Sequence, residues 1–149
     1  MFHASSIQPD VVLREYLTGK ASVVGEEGES DIPVYGDWER PTNVAPDDFI
    51  TVYMNGDCSG VGMEINYANG YIMVGLYCRL NDDGTIKKNR IKKILEQIDK
   101  LVNERVIDDY FFEYDPQRFI TPTTPNQSSG YSVTVLNLKW HTTNNFNAQ

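Results

Sequence analysis

The chain has 149 residues, of which 40% are hydrophobic and 23% charged, and its formal net charge is -8 at pH 7. This size predicts one domain over residues 1–149 with a substantial core, and we expect residues 1–8 and 143–149 to be flexible tails. The acidic balance argues against sequence-independent nucleic-acid binding, which needs a basic surface. No apolar run approaches the ~20 residues that span a bilayer, so no membrane contact is expected.

The N-terminal third is predicted to contain a short helix, an acidic loop and a strand. The helix begins at Pro9-Asp10, with Asp10 as its capping residue, and ends before Gly19. The run GEEGESD, residues 25–31, predicts an exposed and mobile loop. Residues 32–38 predict a short strand whose proline suits a sheet edge.

The middle of the chain is predicted to form a central strand and then a hairpin. Residues 49–54 (FITVYM) form the strand, and Asn55-Gly56 begins its exit turn. Asn69-Gly70 is typical of a type I′ turn, which predicts a hairpin over residues 61–80. In that register Tyr67 faces Ile72, Ile65 faces Val74 and Met63 faces Leu76. Cys78 then lies opposite Val61, too far from Cys58 for a disulfide.

The C-terminal half predicts a long helix followed by two strands. Apolar residues at helical spacing predict the helix over residues 85–106, about 30 Å long. Residues 109–115 and 131–142 predict strands, and the proline-rich residues 116–130 predict a loop. The expected fold class is α+β, a mostly antiparallel sheet with a long helix and a short N-terminal helix packed on one face.

Two oppositely charged segments are the candidate contacts between copies of the chain. The basic cluster lies in the first half of the long helix, where the helix dipole disfavours cations. The acidic loop offers the complementary charge, which suits head-to-tail association, and a solvated helix face is the alternative interpretation of the basic cluster. The candidate residues are Glu26, Glu27, Glu29, Asp31, Lys87, Lys88, Arg90, Lys92 and Lys93.

No residue pattern predicts catalysis, a cofactor or a metal site. His3 and His141 have no partners at metal-binding spacing, and the cysteines lack a CxxC motif. Asp47-Asp48 and Glu64 resemble part of a metal-dependent nuclease motif, but the expected lysine is missing. We therefore expect a protein that is not an enzyme, with a small carboxylate-dependent hydrolase or nuclease and a cytosolic protein-binding adaptor as alternatives.

The order of elements along the chain resembles a family of phage proteins. A short helix (VVLREYL), the strand IPVYGDW, the strand FITVYM, a hairpin, the helix RIKKILEQIDKLV and two last strands follow in turn. This layout is similar to the tail-terminator and tail-completion proteins of long-tailed bacteriophages, including the minor tail protein U group. The likeness covers nearly the whole chain but includes no short diagnostic motif.

The resemblance implies a structural virion protein that forms a ring, usually a hexamer. Such a ring ends the tail tube and joins it to the head connector or neck proteins, and DNA passes through its lumen without specific binding. It implies location at the tail–neck region of the virion, and in the host cytoplasm during assembly. Another head-tail connector or neck protein is the alternative within the virion.

Overall fold

The computed structural model describes residues 7–25, 28–36, 39–41, 43–60 and 68–143, and shows a mixed α+β fold. Its two helices are α1 (Pro9–Leu17) and α2 (Lys88–Val102). The strands are β1 (Ser22–Gly25), β2 (Gly28–Asp31), β3 (Val34–Gly36), β4 (Asp48–Gly60), β5 (Ala68–Arg79), β6 (Arg105–Ile107), β7 (Tyr110–Tyr114), β8 (Ile120–Asn126) and β9 (Tyr131–Thr142).

Seven strands form the main sheet, in the order β3-β4-β5-β9-β7-β6, with β8 also paired to β9. Within the described strands only β3 and β4 are parallel. One edge of β9 pairs with β5, and its other edge is shared by β8 and β7. Helix α1 contacts β3 and β4 at one end of the order and β6 at the other, so the sheet curls around it. Strands β1 and β2 form a separate hairpin.

The buried hydrophobic cluster contains side chains from both helices and from the main sheet. Leu13 and Leu17 of α1 belong to the same buried cluster as Ile94 and Ile98 of α2. Alternate residues of the central strands also belong to this cluster, as period-2 side-chain alternation requires. Those strand residues are Ile50, Val52, Ala68, Ile72, Val74, Leu76, Cys78, Leu136, Leu138 and Trp140.

Helix α2 is shorter than the 22-residue helix expected over residues 85–106. It has 15 residues, which makes it about 22 Å long. Its end is set by Asn103, which is extended, and by Glu104, whose φ of 55° lies in the left-handed region. The following residues turn back as β6, a strand that the helical spacing did not predict. The apolar spacing correctly identified the buried residues Ile91, Ile94, Ile98 and Val102.

The predicted turn at Asn69-Gly70 is wrong, because both residues lie inside β5. A type I′ turn needs positive φ at both central positions, whereas the described glycines with positive φ are Gly19, Gly84 and Gly130. Gly70 instead pairs with Trp140, whose indole atoms would lie 3.0 Å from an added Cβ. The glycine is therefore explained by the close approach of an aromatic ring.

The predicted hairpin pairs are also corrected by the strand register. Ile72, Val74 and Leu76 pair with Met54, Val52 and Ile50 of β4. Their predicted partners Tyr67, Ile65 and Met63 lie outside the described residues. The buried face of β5 was correct, because alternation fixes which side chains share a face whichever strand is the partner. β4 does not exit at Asn55-Gly56 but continues to Gly60 past an irregularity between Asn55 and Ser59.

Three further expectations are corrected in the loops and at the first cap. The acidic run was predicted to be a mobile loop, but residues 28–31 pair with β1. The proline-rich loop contains β8, whose prolines are tolerated because it is an edge strand. Helix α1 begins and ends as predicted, but its capping position is Gln8, and Asp10 lies in the first turn. Parts of the two expected tails, residues 1–6 and 144–149, lie outside the description.

Candidate interaction surface along helix α2

The basic cluster of the sequence is divided by the fold into inward-facing and outward-facing groups. Lys87 precedes α2 and is half-buried, whereas Lys88, Lys92 and Lys93 are exposed on the helix. Arg90 is half-buried and points to the sheet, where it meets Asp48 at the start of β4. The five cations therefore do not form one continuous surface for a partner.

Arg90 is occupied by an ion pair within its own chain. Its Nε lies 3.0 Å and 3.1 Å from the two carboxylate oxygens of Asp48, and its Nη2 also donates to this group. Only 4% of the Asp48 side chain is exposed, against 35% for Arg90. The hydrogen bond to Asp48 raises the pKa of Arg90. This contact offsets the unfavourable position of a cation near a helix N-terminus and removes Arg90 from the candidate contacts between copies.

Cys78 lies beside this ion pair and was placed wrongly by the predicted hairpin. It pairs with Asp48 and Ser132 in the strand register, not with Val61. Burial, and then the charge and hydrogen bond of Asp48, raise the pKa of the Cys78 thiol. Because the thiolate is the reactive form, this cysteine is suited to packing and not to nucleophilic chemistry.

A groove of about 510 Å³ runs along the outer side of α2 toward β8. Its apolar surface comes from Ile86, Ile91 and Leu95, and Thr123 of β8 forms part of the opposite wall. Thr123 is held in place by a hydrogen bond between its hydroxyl and that of Thr134 on β9. The complete lining is Ile86, Lys88, Ile91, Lys92, Leu95, Glu96, Asp99 and Thr123.

The two halves of this groove carry opposite charge. Lys88 and Lys92 lie in the half nearer the helix N-terminus, and neither forms an ion pair with any residue in the described ranges. Glu96 and Asp99 lie in the other half. Asp99 is engaged by Tyr114, whose pKa is raised first by burial and then by its hydrogen bond to this carboxylate. The groove is therefore polarised along the helix.

The acidic candidate residues are only partly within the described structure. Glu26 and Glu27 lie outside it, Glu29 is in β2 opposite Val24, and Asp31 is exposed at the end of β2. Strand β1 lies beside α2. No described residue of the β1–β2 hairpin lines the groove of its own chain. The fold therefore does not bring the described acidic residues into the basic half of this groove.

The described carboxylates that suggested a nuclease, Asp47 and Asp48, form ion pairs within the chain. Asp47 accepts a hydrogen bond of 3.1 Å from Nε of Arg79, and Asp48 is bound to Arg90. Glu64 lies outside the described residues. In the described part of the chain, His, Cys, Asp and Glu side chains form no group of three that could hold a metal ion. Nor is any described helix long and apolar enough to cross a membrane.

The opposite face of the sheet holds an aromatic cluster that the sequence did not predict. Phe49 stacks on Tyr77 at 4.5 Å between ring centroids, and Tyr131 meets Phe49 edge-on. Arg40 lies 4.2 Å above the Phe49 ring. Tyr131 also donates a 2.6 Å hydrogen bond to the carbonyl of Pro46. These contacts hold the segment before β4 against the sheet, so the cluster has a structural role.

Comparison with known proteins shows the fold and no more. No protein-family model matches the chain, and no curated protein matches it. Nine chains of solved structures match its fold. One of them has a TM-score of 0.59 and 10% sequence identity, over 89% of this chain and 91% of its own length. At this identity the architecture is shared over nearly the full length of both chains, and the function is not transferred.

Proposed function

We propose that this chain is a structural protein of a tailed bacteriophage, which forms a ring at the end of the tail tube and joins it to the head or neck. The observation that carries this proposal is the polarised groove along α2, an open surface whose apolar centre and charged ends suit a protein partner. The order of elements along the chain, which resembles the tail-terminator and tail-completion proteins, supplies the identity of the assembly.

The charge of the chain supports a ring through which DNA passes. Six copies at -8 each would carry 6 × -8 = -48. A lumen that lets DNA slide should repel phosphate, since basic side chains would retain it. On this proposal the partners are further copies of the chain, the tail tube protein and the head connector or neck proteins. The protein would act without cofactor or catalysis, in the virion and during assembly in the host cytoplasm.

The fold supports the same proposal through its layers. We infer that α1 and α2 together cover one face of the sheet, because both contribute to a single buried cluster. This arrangement leaves the outer side of α2 and the edge strands for contacts between copies. The hydrolase alternative is less well supported, because the carboxylates Asp47 and Asp48 are engaged by Arg79 and Arg90.

Localisation in particles tests this proposal directly. Gold-labelled antibodies against the chain should bind purified phage particles at the head–tail junction. Deletion of its gene should leave filled heads and tails that do not join, or tails of uncontrolled length. A virion that lacks the chain, or a deletion that still yields joined and infectious particles, would refute the proposal. A monomer that binds a single host protein would favour the adaptor alternative.

A further inference from the structure

We propose that the basic half of the α2 groove receives the acidic hairpin of a second copy of this chain, through the segment of residues 25–31. This inference rests on the proposed ring and identifies the surfaces that would hold neighbouring copies together. It narrows the sequence-based candidates to Lys88 and Lys92 on one copy and to the acidic segment on the next.

The groove offers both an apolar and a charged contact to such an occupant. Ile86 and Leu95 are only partly buried in the monomer, so a docked segment would remove further apolar surface from water. Lys88 and Lys92 flank this surface and, among the described residues, have no anionic partner. The positive end of the α2 dipole adds to the attraction of these two lysines for an anion.

The acidic segment matches this half of the groove in charge. Residues 25–31 contain four carboxylates, Glu26, Glu27, Glu29 and Asp31, and no basic residue. The other half of the groove contains Glu96 and Asp99, which would repel the same segment. The polarity of the groove therefore sets where along α2 the segment docks, and like-charge repulsion excludes the shifted position.

The placement of the two surfaces favours contact between copies. Strand β1 contacts α2 of its own chain, and the hairpin β1–β2 leads into β3, an edge strand of the sheet. The groove is bounded by β8, and no described hairpin residue lines it. A contact between two different surfaces is heterologous, and such contacts form a ring where the rotation between copies closes.

Cross-linking of ring-assembled protein tests the docking. Chains labelled with ¹⁴N and ¹⁵N are mixed, assembled and treated with a carbodiimide, which joins a lysine to a carboxylate in direct contact. We expect mixed-isotope peptides that link residues 25–31 to Lys88 or Lys92. Cross-links only within one isotope, or only at other surfaces of a ring that has formed, would overturn the inference and leave the ring proposal intact.

Charge reversal provides the second arm. The variant Lys88→Glu/Lys92→Glu should weaken association about tenfold, because exposed ion pairs contribute modestly each. Adding Glu26→Lys, Glu27→Lys and Glu29→Lys to the same chain should restore it. The matched control Lys93→Glu/Lys100→Glu makes the same charge change at exposed sites of α2 outside the groove lining, and should leave association unchanged.

The outcomes separate this inference from the proposed function. Rings that form equally well after reversal of Lys88 and Lys92 would overturn the docking and leave the ring standing. A reversal of Lys88 and Lys92 that weakens association no more than the control variant would also overturn the docking. A chain that forms no ring, in solution or on particles, would overturn the proposed function and this inference together.

Discussion

Replacement of Arg90 by leucine should destabilise the fold by about 3 kcal/mol at pH 7. The change leaves the Asp48 carboxylate, whose side chain is 4% exposed, without its cation. Removal of one partner from a buried ion pair costs roughly 3–5 kcal/mol, because the other charge stays desolvated. We expect the lower end of this range, since 35% of the Arg90 side chain is exposed and water already screens the pair.

The loss should depend on which partner is removed. Asp48→Asn should lower the free energy of unfolding by about 1–2 kcal/mol, less than Arg90→Leu does, because the released guanidinium can reach water. This asymmetry follows from the unequal exposure of the two side chains.

Urea unfolding followed by tryptophan fluorescence at pH 7 measures these differences. Lys93→Leu is the matched control, because Lys93 is exposed on the same helix, and its stability should lie within about 0.5 kcal/mol of wild type. An Arg90→Leu variant that is as stable as this control at pH 7 would refute the argument. So would an Asp48→Asn variant that loses more stability than Arg90→Leu.

Four further predictions concern the sheet and its buried thiol. Gly70→Ala should cost about 1–3 kcal/mol, since the new methyl lies 3.0 Å from the Trp140 indole, and Trp140→Phe in the same chain should recover part of the lost Tm. Val74→Asp buries a charge between Val52 and Leu136 and should cost several kcal/mol, so an unchanged Tm would show that the register is wrong. Cys78 should resist thiol reagents until the chain unfolds, and its rapid labelling in the native state would contradict its burial. Folding raises the pKa of the Cys78 thiol, so its contribution to stability is complete below pH ~8.5 and is lost as the pH rises further. The free energy of unfolding measured in urea should therefore fall less steeply at alkaline pH for Cys78→Ala than for wild type.

The candidate surface could be anticipated from the sequence only in part. The basic cluster and the acidic run are visible as charge patterns, and the apolar spacing of α2 already included Leu95. That Arg90 turns inward to Asp48 could not be predicted, because the two residues are 42 positions apart and no local pattern links them. The groove also needs Thr123, which lies on a strand within a segment that its prolines predicted to be a loop.

The local periodicities of this chain can be read directly from its residues. Helical spacing identified the buried face of α2, and two-residue alternation placed Ile72, Val74 and Leu76 on one buried face of β5. These features depend on backbone geometry over a few residues, and the sequence encodes them directly. The tertiary structure decided which strands pair. Ile72, Val74 and Leu76 could bury the same face against either partner strand, and in the structure their partner is β4. Alternation specifies the face of a strand, whereas the partner depends on the packing of distant segments, and this is why Asn69-Gly70 lies within a strand although its local preference is for a turn.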